Sequence, residues 1–261
     1  MIRPKKNICL LIDQSGETTY EMCKCLFNSK YFKFSLVIFR NKNINNINKF
    51  KKFLDKDTTV IVSSFVQKNK KVPFFFKKNK IDLAICLAWH NKIKKTFLNY
   101  FSGGIVNFHP SPLPLNRGCH STFWGIYNDT NHGATMHFMD TNFDWGKILD
   151  RSIFQNKDSY TADYVFKKSR NISLKLLKKN LKNLRDGNFK SYKNFTKKDL
   201  KKSKYHKKND IHKVTNLNVN QSIKVSKLWN LIKATKFKEN GYYIKSGKNK
   251  YFIKSTINKL K

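Results

Sequence analysis

No apolar run in this chain approaches the ~18 residues that a membrane-spanning helix needs, so none is expected. The first residues, "MIRPKKNICLLID", lack the apolar stretch and cleavage site of a signal peptide and read instead as a first buried strand. Cysteine is sparse: Cys9, Cys23, Cys25, Cys86 and Cys119 are odd in number and have no paired metal spacing. They read as reduced thiols of a cytosolic protein, with the Cys23/Cys25 pair a coincidence. No Gly-x-Gly-x-x-Gly follows the first strand, where "DQSGET" stands, which disfavours a nicotinamide or flavin enzyme. No internal repeat is visible. Arginine supplies only six of the 54 basic residues, although it is the residue suited to bidentate phosphate and base contacts. Acidic residues number 16, and the net charge is +38. Such a balance suggests a nucleic-acid binder. The lysines, however, are spread along the whole chain among abundant Asn, Ile, Phe and Tyr, the set an AT-rich genome encodes. The charge therefore reads as compositional, though it would still draw phosphorylated substrates.

What is present is a core and an alternation. Hydrophobic residues make up 39% of the chain and include 22 Phe and 11 Tyr, enough for a sizeable core. Apolar runs at 7–13, 34–40, 58–64, 82–88 and 104–109 read as buried strands. Between them, Thr18–Ser29 and Asn91–Tyr100 have helical spacing. This predicts an α/β fold, a Rossmann-like, doubly wound and mostly parallel sheet, which binds ligands beyond the carboxyl ends of its strands. Strands at 133–140 and 147–154 follow, then a helix from Thr161 to Arg185 stopped at Asp186-Gly187. Lys193 to Lys208 reads as a solvated linker or substrate flap. Val225, Leu228, Trp229 and Ile232 mark a short amphipathic helix with Trp229 in the core. A hairpin turning on Ser246-Gly247 then closes a small α+β subdomain. The expected division is 1–190, catalytic, and 191–261, linker and subdomain.

Three of the five prolines fall in "VNFHPSPLPLNRG", residues 106–118. Alternating prolines make a stiff extended loop that is neither helix nor central strand. Polar and special residues gather around it: five of seven His (His90, His109, His120, His132, His137) and six of ten Gly lie between His90 and Gly146. Asn107 and His109 end the fifth strand, and Asp144 lies in a Gly-containing loop. An amide can donate to a developing oxyanion, imidazole can exchange a proton, and a carboxylate can orient the imidazole or hold water. No Ser or Cys stands out as a nucleophile, so the group suits direct transfer rather than a covalent intermediate.

"NFHPSPLPLNRG" and "GATMHFMDTNFDWGKI" together resemble the folate-dependent formyltransferases, with their Asn-x-His-Pro-Ser-x-Leu-Pro…Arg-Gly and Gly-x-Thr-x-His…Asp-x-Gly-x-Ile segments. The resemblance is clear over roughly 80–155. It implies Asn107, His109 and Asp144 as the catalytic trio and 10-formyltetrahydrofolate as donor, with no metal. It also implies a pterin slot formed by Leu87, Ala88, Trp89, His90 and Asn91 with Asp140, Thr141, Asn142 and Asp144. Where the family usually has Asp-Thr-Gly, this chain has Asp144-Trp145-Gly146. Within the family, the segment "CHSTFWGIYNDTNHG" and the tail with Tyr205-His206 resemble the nucleotide-sugar enzymes. The tail departs at Lys233, where Arg is common, and lacks the later Pro. The tRNA enzyme carries a further domain, whereas about seventy residues follow Phe189 here. The resemblance thus implies a dTDP- or UDP-linked 4-amino-4,6-dideoxyglucose as acceptor, met by Ser111, Pro112, Arg117, Gly118, His120, Trp124 and Tyr205. Arg117 and nearby Lys would face the diphosphate, and an aromatic would stack on the pyrimidine. Alternatives are methionyl-tRNA formylation, a basic nucleic-acid-binding relative, and glycinamide ribonucleotide formylation. No membrane partner and no specific nucleic acid are expected. A homodimer is compatible, and the expected location is cytoplasmic, the host's cytoplasm if the source is viral.

A compositional charge has a measurable consequence. Binding to tRNA is expected to be weak, indifferent to sequence and lost steeply between low and physiological salt. Filter binding with initiator and non-initiator tRNA checks this. Tight, salt-resistant selection of the initiator would overturn it.

Overall fold

In the computed structural model, which describes residues 4–13, 16–40, 47–63, 68, 71–89, 91–189, 194–237 and 241–257, the apolar runs do become strands. β1 (Lys6–Ile12), β2 (Phe32–Phe39), β3 (Thr59–Val62), β4 (Leu83–Leu87) and β5 (Ile105–His109) are parallel to one another. Beyond the two-residue β6 (Arg117–Gly118), β7 (His132–Phe138) and β8 (Ile148–Phe154) complete a seven-stranded sheet of order β3-β2-β1-β4-β5-β7-β8. β7 runs antiparallel to β5, so the sheet is mixed but mostly parallel, as expected. β1, between β2 and β4, is buried from Asn7 to Ile12. A strand covered on both faces reads as an unbroken apolar run rather than an alternation.

Short helices cover the faces. α1 (Glu17–Phe27) and α2 (Ile47–Lys51) meet β2 through Phe27–Phe34 and Phe39–Phe50 ring contacts at 4.7 and 5.6 Å. The pairing passes from Ile8↔Phe34 to Cys9↔Leu36, skipping Ser35. That irregularity re-phases β2, so Leu36 and Ile38 join the core opposite. There they meet Val72 and Phe76 of α3 (Lys71–Lys78) and Phe97 of α4 (Lys95–Leu98). The helix expected over Asn91–Tyr100 is cut to α4. Lys94 is extended, and Ile93 is buried in the core ahead of the helix.

α5 (Ser121–Tyr127), α6 (Ala162–Asp186) and α7 (Lys197–Lys202) follow, then β9 (Tyr205–His206), α8 (His212–Thr215), β10 (Asn216–Asn218) and α9 (Val225–Thr235). The hairpin is β11 (Tyr242–Ser246) and β12 (Asn249–Ile253), with Gly247 in the left-handed region at its turn. β10 adds to it in parallel, a strand the sequence did not announce. Segment 194–208 is more than a solvated linker: it holds α7 and β9, and His206 is buried. The stripe on α9 is also displaced. Leu231 and Ala234 enter the core, Val225 is 83% exposed, and Trp229 is half-exposed with its indole N–H on Asp158 Oδ1 at 2.7 Å. The polar end of the indole therefore kept it out of the core.

By contacts the chain forms two compact units. One comprises 1–109, 135–151 and 173–195, and the other 110–134, 152–172 and 196–261.

Candidate active site

β5 places Asn107 and His109 two residues apart, hence on one face of the sheet, both more than nine-tenths buried. Its antiparallel pairing with β7 sets His137 opposite Asn107 and Thr135 opposite His109. Asp144 comes from the loop after β7. Its Oδ2 lies 3.4 Å from His109 Nδ1 and its Oδ1 3.7 Å from His137 Nε2. The structure thus brings the expected trio together, and it adds a fourth member that the sequence reading did not assign.

That member fixes the amide. His137 Nδ1 is 2.8 Å from the Phe138 carbonyl, which can only accept, so Nδ1 carries the proton. In the neutral ring Nε2 must then accept, and it does so from Asn107 Nδ2 at 3.2 Å. The Asn107 amide is thereby oriented, with one N–H used and the second available in the same plane. Burial holds the ring neutral, lowering the His137 pKa to about 4 against the opposing pull of Asp144. The signal was in the sequence: the Gly-x-Thr-x-His spacing puts Thr135 and His137 on the same face of a strand. What brings His137 to Asn107 is the register of β7 against β5.

Asp144 itself is left-handed, φ 51°, a region that Asp tolerates better than most residues with a Cβ. The two residues after it are closely packed. A Cβ on Gly146 would lie within 2 Å of the Phe138 carbonyl oxygen, so only glycine lets the loop approach β7 this closely. Trp145 packs on Phe195, with ring centroids 4.5 Å apart.

The expected donor loops flank the same strands. Cys86 pairs with Asn107, so the chain leaving β4 at Leu87 emerges beside the end of β5. Ala88 is left-handed, φ 56°, and Trp89 is buried in the cluster against which Met139 packs. Asp140 accepts the Asn142 N–H in a tight turn, and Thr141 and Asn142 are exposed. His90 lies outside the described residues. Among the described residues the buried Trp89 Nε1 has no hydrogen-bond partner. An acceptor-rich heterocycle such as a pterin would satisfy that orphan, so the residues present fit the implied group. Among the described residues no group of three or more His, Cys, Asp or Glu is placed to hold a metal ion.

The expected acceptor residues divide. Arg117 and Gly118 pair with Tyr205 and His206 as β6 and β9, and the Arg117 guanidinium lies 5.8 Å over the Tyr205 ring and 3.3 Å from Ser203 Oγ. Gly118, φ 85°, has no room for a Cβ because the His206 carbonyl stands 2.3 Å from its position. His120 reaches the Lys208 carbonyl at 3.2 Å. Ser111 donates to the Leu115 carbonyl at 2.7 Å within the Pro loop, where Pro112 is buried. Trp124 is 6% exposed and stacked on His206 at 4.0 Å, so its ring is a core element whose near face is already occupied.

Residues 6–181 match the Formyl transferase family. A GDP-perosamine N-formyltransferase of Brucella melitensis is 37% identical over 86 residues, 33% of each chain. A methionyl-tRNA formyltransferase of Borrelia turicatae is 35% identical over 100 residues, 38% of this chain and 32% of that protein. The chain thus matches about a third of the length of these curated relatives. A sugar N-formyltransferase structure from a Shewanella species superposes with a TM-score of 0.78 at 18% identity, over 97% of this chain and 99% of that one. An N-formyltransferase from Helicobacter canadensis, in complex with folinic acid and dTDP-3-aminofucose, gives 0.67 at 20% identity, over 92% and 85%. At these identities the likeness is one of fold.

The neutral His137 predicts a pH dependence. Its folded pKa, about 4, lies below the ordinary 6.5, so between these values the unfolded chain binds a proton that the native chain does not. Its contribution is complete above pH 6.5 and is lost as pH falls, approaching about 3 kcal/mol at pH 4. Urea unfolding at pH 7 and pH 4.5 should show the loss, and His137→Gln should flatten it.

Proposed function

The chain belongs to the formyl transferase family, and on that premise we propose that it moves a formyl group from 10-formyltetrahydrofolate to the primary amine of a nucleotide-linked amino sugar. The observation that carries the chemistry is the Asn107–His137–Asp144–His109 cluster, in which tautomer and amide orientation are set by the Phe138 carbonyl. The superposition over nearly all of both chains supports a sugar acceptor. A dTDP- or UDP-linked 4-amino-4,6-dideoxyglucose is the acceptor we favour. The local identity to a methionyl-tRNA formyltransferase keeps charged initiator tRNA as the second reading.

When bound, the donor supplies a formyl group on a nitrogen that can leave. Leu87, Ala88, Trp89 and Asn91, with Asp140, Thr141 and Asn142, would hold its ring. Asn107 donates its second amide hydrogen where negative charge develops on the formyl oxygen, the role of an oxyanion donor. Asp144 beside Nδ1 of His109 favours the tautomer with its proton there, which leaves Nε2 to exchange one. Nε2 takes the proton that the attacking amine loses and returns one to the departing nitrogen. The Pro-locked loop behind β5 limits the motion of both side chains and so preserves their orientation. Arg117 would take the acceptor's diphosphate, where a planar guanidinium can bind bidentately.

Incubating the protein and donor with a panel of amino-sugar nucleotides, with mass detection of the formamide, tests the reading. Product on charged tRNA alone would replace it with the second one. Asn107→Ala, His109→Ala and Asp144→Ala should each lower turnover by at least ~100-fold with the fold retained, the scale of an oxyanion donor or general base. Arg117→Lys keeps the charge but loses the planar fork. It should raise KM for the sugar nucleotide and leave KM for the folate and the melting temperature nearly unchanged. A joint fall of turnover and melting temperature would make Arg117 a pin of the loop.

A further inference from the structure

The function proposed above gives Trp145 no task. Its ring lies on Phe195, centroids 4.5 Å apart and planes at 35°, and both side chains are half-buried. Phe195 is the residue just before Thr196, which together with Asp199 caps α7. Trp145 is also the residue between Asp144, in its left-handed conformation, and Gly146, pressed against the Phe138 carbonyl. Asp adopts the left-handed region more readily than most residues with a Cβ, so the packing of the neighbouring residues decides where its carboxylate is carried. On the Gly146 side the constraint is steric. On the other side of Asp144, Phe143 is half-buried and Asn142 is exposed.

We propose that Trp145 and Phe195 form an aromatic latch that positions Asp144 against His109, so that Phe195, distant in sequence and without reactive chemistry, sets the efficiency of the catalytic carboxylate. Neither ring is a catalytic residue, because neither is placed on a reacting atom. Aromatic pairs of this geometry hold two segments with defined orientation. The Asp144–His109 distance of 3.4 Å leaves little tolerance before the contact is lost. A displacement of about 1 Å at a reacting group costs up to about 100-fold in rate. The latch rests on the proposed formyl transfer for its kinetic consequence and on the structure alone for its mechanical one.

The test separates the two. Phe195→Ala and Trp145→Ala should each lower kcat by about tenfold or more, with KM for donor and acceptor within about twofold. Phe195→Tyr and Trp145→Phe, which keep the ring pair, should restore most of the turnover. In an Asp144→Asn background Phe195→Ala should cost nothing further, because it acts only through the carboxylate. Independently of any substrate, hydrogen exchange of the peptide spanning 139–147 should quicken in both alanine variants while β1 and β4 stay protected. Unaltered exchange in that peptide overturns the latch, as does a full further loss in the Asp144→Asn background. If the wild-type protein formylates no amine, the function falls, and hydrogen exchange alone decides the latch.

Discussion

The backbone of Phe138 is the constraint on which the site depends. Its carbonyl accepts the His137 Nδ1 proton, which fixes the tautomer and through it the Asn107 amide. The same carbonyl leaves no room for a Cβ at residue 146, so the loop bearing Asp144 can return to β7 only with glycine there. Its N–H donates to the Lys147 carbonyl at 2.9 Å, which closes that loop. The backbone of one residue at the end of one strand thus bears on three of the four side chains. It can do so because β5 and β7 are antiparallel, an arrangement in which opposed residues lie close enough for their side chains to meet.

The shortage of acidic residues is visible in how they are used. Asp150 accepts from Lys179 and Asn180, Asp158 from Lys233 and Trp229, and the buried Asp13 meets Arg40. Asp144 faces two imidazoles. Asp150 and Asp158 thus each serve two donors, while most of the described lysines lie at the surface. Lys233 is the informative exception. Its side chain is 3% exposed, and its ammonium reaches Asp158, whose own side chain is 79% exposed. The pair therefore keeps one partner in water, which limits the desolvation cost of the buried cation.

The strands were legible because both faces of the sheet are covered, and such strands are written as apolar runs. That Asn107, His109 and Asp144 would be near one another was legible from the two segments that resemble the formyltransferases, and the structure sets Asp144 3.4 Å from His109. Less legible were the short helix α4, the strand β10 and the buried face of α9. In these, tertiary packing overrode a weak local pattern: Ile93 went to the core, and the Trp229 indole N–H found Asp158.

By itself the sequence determined the alternation of strands and helices, the stiff loop after β5 and which residue types could carry the chemistry, since each is local and fixed by covalent geometry or hydrophobic period. Only the tertiary structure decided that His137 stands opposite Asn107, that Phe195 lies under Trp145, and that Trp124 is stacked on His206 inside the core rather than open to a ligand. These depend on register and on contacts between segments 30 to 82 residues apart. No local pattern encodes a partner at that separation. It is fixed when the sheet closes and the remaining side chains take the space that is left.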